Sequence, residues 1–134
     1  MIHLDTSFLI DLLREVGRER PGAASAFLHQ LMDEELGISV FVACELFAGV
    51  ELSTESTREM QKVQRLCNAF QVTYPDERFP LTYGKLLAQL ERNRQKISAM
   101  DLLIATTALT AEASLVTRNV KDFSRVPGLR LIHY

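Results

Sequence analysis

Ile2-His3-Leu4-Asp5-Thr6-Ser7-Phe8-Leu9-Ile10-Asp11-Leu12-Leu13 opens with a short apolar run, meets an acid, passes two hydroxyl residues and enters an apolar pattern of helical period. The pattern reads as strand, acid, helix. In an open α/β sheet, ligands sit outside the carboxyl ends of the strands. Asp5 stands at such an end. Asp5 or Thr6 would equally serve as a helix cap, so this stretch alone does not make a site. Two further acids, each set into an apolar helical stripe, change that.

The first is Glu45, in Val40-Phe41-Val42-Ala43-Cys44-Glu45-Leu46-Phe47-Ala48-Gly49-Val50. With Val42 to Leu52 helical, its neighbours three and four residues away are Phe41, Val42, Ala48 and Gly49, all apolar or small. An ionised carboxylate on such a face costs several kcal/mol unless paired or bound to a metal. A buried arginine partner, or a first-turn position favoured by the helix dipole, would also account for it. The second is Asp101, in Ile97-Ser98-Ala99-Met100-Asp101-Leu102-Leu103-Ile104-Ala105-Thr106-Thr107-Ala108-Leu109. Ser98-x-x-Asp101 fits a capping box, yet Asp101 also lies one helical step from Ile97, Ile104 and Ala105. A fourth acid, Asp122, follows Ser114-Leu115-Val116-Thr117 in the polar stretch Arg118-Asn119-Val120-Lys121-Asp122-Phe123.

The remaining chain alternates in the same way. Phe8 to Arg14 is a short helix, and Glu15 to Gly22 a loop. Ala23 to Glu35 is a helix with the stripe Ala23, Ala26, Phe27, Leu31, stopped by Gly37. Gly37 to Val40 is a strand. Ser53 to Phe70 is a helix with a candidate capping box at Ser56-x-x-Glu59. Gln71 to Tyr74 is a strand, Leu81 to Arg94 a helix with Leu86, Leu87 and Leu90 on one face. Ser114 to Thr117 is a strand, Arg118 to Phe123 a loop, and Arg130 to His133 the last strand. Strands alternating with helices imply an α/β fold with a parallel sheet and right-handed crossovers. There is no repeat and no linker, so residues 1–134 form one domain.

Composition adds bounds. The chain is 47% hydrophobic and 24% charged, ordinary for a globular domain. Cys44 and Cys67 lack CxxC spacing and read as free thiols of a reduced compartment. Neither has a histidine partner among His3, His29 and His133 that would suggest a thiol nucleophile. The N-terminus enters a strand rather than a secretory leader, and no apolar run approaches a membrane span. The expectation is a cytoplasmic protein with no membrane partner. Formal net charge is −2, which argues against a generally basic surface. Setting aside Asp5, Glu45, Asp101 and Asp122 makes the balance positive. Basic residues also cluster, at Arg14, Arg18 and Arg20, at Arg92, Arg94 and Lys96, and at Arg118, Lys121 and Arg125. These leave room for a phosphate-bearing substrate.

Asp5, Glu45 and Asp122 follow strands, and Asp101 begins the helix leading into the fourth. Parallel strands put their carboxyl ends on one side, so the four acids can converge. Convergent carboxylates repel unless a cation holds them. Oxygen ligands without nearby His or Cys suit Mg²⁺ or Mn²⁺ rather than Zn²⁺. Such an ion polarises a phosphodiester and lowers the pKa of bound water.

The segments Ile2 to Ile10, Glu45-Leu46-x-x-Gly49, Ile97 to Ala105, and Leu115-Val116-Thr117-Arg118-Asn119-x-x-Asp122-Phe123 followed by Val126-Pro127-Gly128-Leu129 resemble the blocks of PIN-domain proteins. The nearest likeness is to VapC-type toxins of toxin–antitoxin pairs. The blocks fall in family order and span nearly the whole chain. The resemblance implies a PIN-like domain with a five-stranded parallel sheet flanked by helices, and an endoribonuclease dependent on Mg²⁺ or Mn²⁺. Asp5, Glu45 and Asp101 match the three core acids, with Asp5 and Asp101 as metal ligands. Ser7 matches a hydroxyl or amide position that supports the metal site. Either Asn119 or Asp122 completes it, Thr117 orients an acid, and Arg118 contacts substrate phosphate. The implied partners are RNA, a second copy in a homodimer, and a VapB-like antitoxin that wraps the toxin and reaches the acids. Phe41, Phe47 and the Met60–Phe70 helix offer apolar surface for such contacts.

Two rivals remain. A phosphohydrolase using Asp5 as covalent nucleophile would want a second Asp where Ser7 stands. A non-catalytic PIN-like domain that binds RNA or protein would not need all three core acids intact.

Overall fold

The computed structural model describes residues 1–18 and 21–134. Arg20, counted above in the first basic cluster, lies outside the described residues. In chain order the elements are β1 (Ile2–Leu4), α1 (Thr6–Gly17), α2 (Ala23–Gln30), β2 (Leu36–Ser39), α3 (Val40–Glu51), α4 (Ser56–Ala69), β3 (Gln71–Thr73), α5 (Phe79–Arg92), α6 (Ala99–Thr110), β4 (Ser114–Val116), α7 (Val120–Phe123) and β5 (Leu131–Ile132). The sheet order is β3-β2-β1-β4-β5. Every pairing is parallel, with Leu4 opposite Val116 and Ser39 opposite Thr73. The α/β fold expected from the sequence, five parallel strands flanked by helices, is the one observed.

The chain lays β1, β2 and β3 outward in one direction, then returns to place β4 and β5 on the other side of β1. The order therefore reverses between β1 and β4. A crevice opens at the carboxyl ends of strands at such a reversal. Asp5 leaves β1 there, and Thr117 leaves β4 beside it.

Several boundaries differ from the sequence reading, each for a local reason. Helix α1 continues past Arg14 because the Glu15 carboxylate reaches across to accept the Ser25 N–H at 3.2 Å and so caps α2. Gly22 precedes that cap, and a Cβ there would overlap the Glu15 side chain. Helix α2 stops at Gln30, and its inward residues are Ala24, Phe27, Leu28 and Leu31. Ala23 and Ala26 are exposed, so the expected stripe was rotated by one residue. Gly37 is no helix stop. It lies inside β2, where a Cβ would stand 3.1 Å from the Gln71 carbonyl oxygen and crowd the His3 ring.

Helix α3 begins two residues early, because Ser39 Oγ accepts the Val42 N–H at 3.1 Å. The Ser56 capping box does not form: Ser56 is already helical, and Glu59 instead pairs with Lys62 at 3.3 Å. On α5, Leu86 and Leu90 are buried while Leu87 is exposed. The polar stretch after β4 contains a helical turn, α7, rather than only a loop, and Phe123 at its end is fully buried.

Helix α6 is apolar on nearly all sides, which marks a core helix. Leu102 and the run Ile104 to Ala108 are buried. Its two buried threonines are satisfied within the helix, Thr106 donating to the Leu102 carbonyl at 2.6 Å and Thr107 to that of Leu103 at 2.8 Å. Leu4, Phe8, Leu9, Ile38, Val42, Leu102, Ile104, Leu115 and Phe123 belong to one continuous core. Among the described residues no helix is long and apolar enough to cross a membrane.

Candidate active site

Asp5 occupies the N-cap position of α1, yet its side chain makes no capping hydrogen bond. Simple capping therefore does not account for this buried acid, 4% exposed. Two hydroxyls converge on one of its oxygens: Ser7 Oγ donates to Oδ2 at 2.9 Å, and Thr117 Oγ1 donates to the same atom at 2.7 Å. Each hydroxyl is in turn oriented by a main-chain donor. The Arg118 N–H reaches Ser7 Oγ at 3.2 Å, and the Asn119 N–H reaches Thr117 Oγ1 at 2.9 Å. Main-chain amides after β4 thus set two hydroxyl rotors, and those rotors fix one carboxylate after β1. Among the described residues nothing donates to the other oxygen, Oδ1, which remains able to accept a cation or a water.

Glu45 is half-buried rather than sealed in, because Ala48 and Gly49 beside it are exposed. Its partner is no arginine. Thr6 Oγ1 donates to Glu45 Oε1 at 2.6 Å, tying α3 to the first turn of α1. Asp101 enters from the first turn of α6, where Ser98 Oγ accepts the Asp101 N–H at 3.1 Å. The cap is thus made by Ser98, and the Asp101 carboxylate faces the pocket. Burial pushes that carboxyl above the ordinary aspartate range, and the negative charge of Asp5 adds to the effect. The Ser98 hydroxyl acts the other way, while Glu45 and Asp122 push up again. Asp101 therefore feels the charge of the other three acids.

Asp5, Thr6, Ser7, Ile10, Arg14, Glu45, Asp101, Arg118 and Asn119 line one open cavity of about 310 Å³. Asp122 stands one layer back. Its Oδ2 accepts from Asn119 Nδ2 at 3.2 Å, and Arg125 lies 3.8 Å from Oδ1. Asn119 thus lies at the pocket, with Asp122 behind it. All eight residues expected at the site lie in the pocket or within one contact of it.

The donors available to a cation here are carboxylate and hydroxyl oxygens. Among the described residues no three His, Cys, Asp or Glu side chains close into a ready-made cage. That openness and chemistry fit Mg²⁺, which keeps several waters and takes one or two carboxylates with substrate oxygens. It does not fit the closed nitrogen and sulfur sites of structural zinc.

Two features of the site escaped the sequence reading. Thr6 looked like a cap and is instead the partner of Glu45. Asp11 makes an ion pair with Arg118, Nη1 to Oδ2 at 3.0 Å, and faces Arg14 at 3.8 Å. Asp11 carried a weaker signal than Glu45, since its neighbours three and four residues away are Ser7, Phe8, Arg14 and Glu15, which read as an ordinary solvated helix face. Its partner Tyr134, whose hydroxyl donates to the same Oδ2, carried none.

A parallel α/β sheet with a carboxylate pocket at its strand-order reversal defines the class structurally. The PIN domain model matches residues 2–129. The chain belongs to the PIN-domain family, and its relatives include VapC proteins. Ribonuclease VapC1 of Haemophilus influenzae strain R2866 is 32% identical over 128 residues, covering 95% of this chain and 92% of that protein. Ribonuclease VapC19 of Mycobacterium tuberculosis is 31% identical, covering 95% of each. Among solved structures, VapBC2 from Rickettsia felis, bound to a DNA fragment from its promoter, aligns with a TM-score of 0.90 at 29% identity. It covers 100% of this chain and 99% of that one. VapBC-1 from nontypeable Haemophilus influenzae aligns at 0.86 with 31% identity, covering 99% and 98%.

Proposed function

We propose that this protein is the endoribonuclease toxin of a cytoplasmic toxin–antitoxin pair, dependent on Mg²⁺, with Mn²⁺ able to substitute. The observation that carries this reading is the fixed orientation of Asp5. Two hydroxyls hold one of its oxygens and leave the other without a donor among the described residues, and Asp5 lines the pocket shared with Glu45 and Asp101. The relatives named as ribonucleases support the substrate class.

In this reading Asp5 and Asp101 hold the cation. A bound divalent ion there supplies charge neutralisation on a phosphodiester and activation of water. Ser7 and Thr117 hold the Asp5 carboxylate in place through its Oδ2. Thr6 holds Glu45 across the pocket, where its free oxygen can accept a proton from the attacking water. Asn119, backed by Asp122, borders the same space. Arg118 stands at the rim to receive a substrate phosphate.

A VapB-like antitoxin is the proposed partner, as the VapBC neighbours suggest. A groove of about 340 Å³ runs between α1, α3 and α4, lined by Leu13, Leu46, Val50 and Val63 among others. Ile10, Arg14 and Glu45 line both this groove and the acid pocket. A segment lying in the groove therefore has a continuous path to the acids. The proposed assembly is a homodimer, which light scattering would check.

The deciding experiment is cleavage of total cellular RNA by the purified protein with Mg²⁺, with Mn²⁺ and with EDTA, beside Asp5→Asn and Asp101→Asn. Discrete fragments that require metal and disappear in both variants are expected. Cleavage that persists in EDTA or in the variants would sink the reading.

A further inference from the structure

We infer that Asp11 and Tyr134 are positioning residues that hold the Arg118 guanidinium at the rim of the acid pocket, ready for a phosphate of the substrate. The inference rests on the ribonuclease reading above. It begins from the state of Arg118, whose side chain is 57% exposed. An arginine this open ordinarily spreads over many rotamers, and fixing it costs entropy. This one is held at both ends. Its main-chain N–H is bound to Ser7 Oγ, the hydroxyl that also fixes Asp5. Its guanidinium is bound to Asp11 Oδ2 at 3.0 Å.

Asp11 is itself held. Its side chain is 19% exposed, and it takes a second donor on the same oxygen, the Tyr134 hydroxyl. The Tyr134 ring is locked by packing. It meets the fully buried Phe8 edge-on, centroids 4.8 Å apart, and Phe27 at 5.8 Å. Burial and the Asp11 charge keep the phenol protonated far beyond neutrality, so it remains a donor. A chain of contacts thus runs from Tyr134, packed after β5 against Phe8 of α1 and Phe27 of α2, through Asp11 to an arginine lining the site. Arg14 lines the same pocket but, 3.8 Å from the other Asp11 oxygen and with its side chain 63% exposed, is not hydrogen-bonded to this anchor.

An ordinary exposed ion pair would contribute almost nothing measurable. What distinguishes this one is a shielded carboxylate with a second, rigid donor, aimed so that the cation it holds borders the acids. The arginine supplies the positive edge that four acids lack, and a phosphate entering beside them needs it.

Tyr134→Phe is the discriminating variant, because it changes no charge and keeps the ring. Asp11→Glu keeps the charge and moves the carboxylate by one methylene. Initial rates of RNA cleavage would be measured for each, for Arg118→Ala, and for each combined with Arg118→Ala. Both single variants are expected to raise KM by about three- to tenfold, the size of one typical net hydrogen bond, with kcat nearly unchanged. In the Arg118→Ala background neither should add anything. An unchanged KM in Tyr134→Phe, or a fold-change that persists without Arg118, overturns the proposal. Affinity for a fluorescein-labelled mixed-sequence RNA in EDTA, followed against salt, separates this failure from failure of the nuclease reading. Arg118→Ala should lower the slope by about one phosphate contact, and Tyr134→Phe should weaken binding only where Arg118 is present. That binding result without any cleavage would keep the positioning role and remove the nuclease. Cleavage with unaltered KM and binding in Tyr134→Phe would remove the positioning role alone.

Discussion

Thr117 is fully buried and gives its only proton to Asp5, so it is the residue whose loss should read most cleanly at the site. Thr117→Val keeps the shape and removes a charge-assisted hydrogen bond. Such a bond is worth about 1.5–3 kcal/mol, so kcat for RNA cleavage should fall roughly ten- to a hundredfold, with KM little changed. An unaltered kcat would mean that Ser7 alone suffices. Asp101 makes a second prediction, with the opposite sign for stability. Its folded-state pKa is raised, chiefly by burial and then by Asp5, so the ionised form weakens the fold at neutral pH. That penalty is lost as pH falls through the raised pKa to below the unfolded one. Metal-free Asp101→Asn should therefore melt higher than the wild type at neutrality and lose its advantage in acid. Mg²⁺ should raise the wild-type Tm and leave the variant nearly unmoved. A variant that melts lower at every pH would show that Asp101 is mainly structural. The acids were legible in the sequence because a charge inside an apolar stripe demands explanation. Their partners were not. Thr6 and Glu45 are 39 positions apart, and Asp5 and Thr117 are 112 apart, with nothing in either pattern to join them.

At the scale of elements, the period of each apolar run was enough to place strands and helices in the right order. Their ends were set by contacts the pattern does not contain. Glu15 looked like loop because it is polar and near Gly17 and Gly22, yet it caps the next helix from inside α1. Ser56 and Glu59 had the right spacing for a box, but Glu59 found Lys62 instead. The turn α7 shows why a polar stretch can still be ordered. Asn119 and Asp122 join through side chains, and Phe123 is fully buried just behind them. The aromatic ring anchors the segment whose amides orient Ser7 and Thr117. Phe123→Ala should thus cost about 3–5 kcal/mol, as large core truncations do, and lower activity even in the molecules that remain folded. Urea unfolding and rates corrected for the folded fraction would check both halves. A stability loss with normal specific activity would show that the amides hold their places without the ring.

For the molecule as a whole, the reversal of strand order puts the middle strand, β1, beside both the site and the most buried part of the sheet. His3 sits there, 1% exposed. Its Nε2 lies 3.2 Å from Thr73 Oγ1, and among the described residues Nδ1 has no partner. Burial, with help from the N-terminal charge, lowers its pKa from the usual 6.5 to about 4. The imidazole is therefore neutral in the fold near neutrality, while an unfolded chain takes up a proton below about pH 6.5. The sign follows from linkage. Below 6.5 the unfolded state binds more protons than the folded one, so stability falls as pH drops, and the loss is complete near pH 4. Its full size is about 3 kcal/mol, a large share of the net stability of a domain this size. Asp101 opposes the trend, so the measurement belongs in the Asp101→Asn background. Urea midpoints across that range should decline steadily there. His3→Leu, which fills the same space and leaves half-buried Thr73 free to turn to water, should flatten the acid limb. If the decline survives His3→Leu unchanged, protonation elsewhere governs acid stability, and the buried histidine is tolerated in the centre of the sheet at little cost.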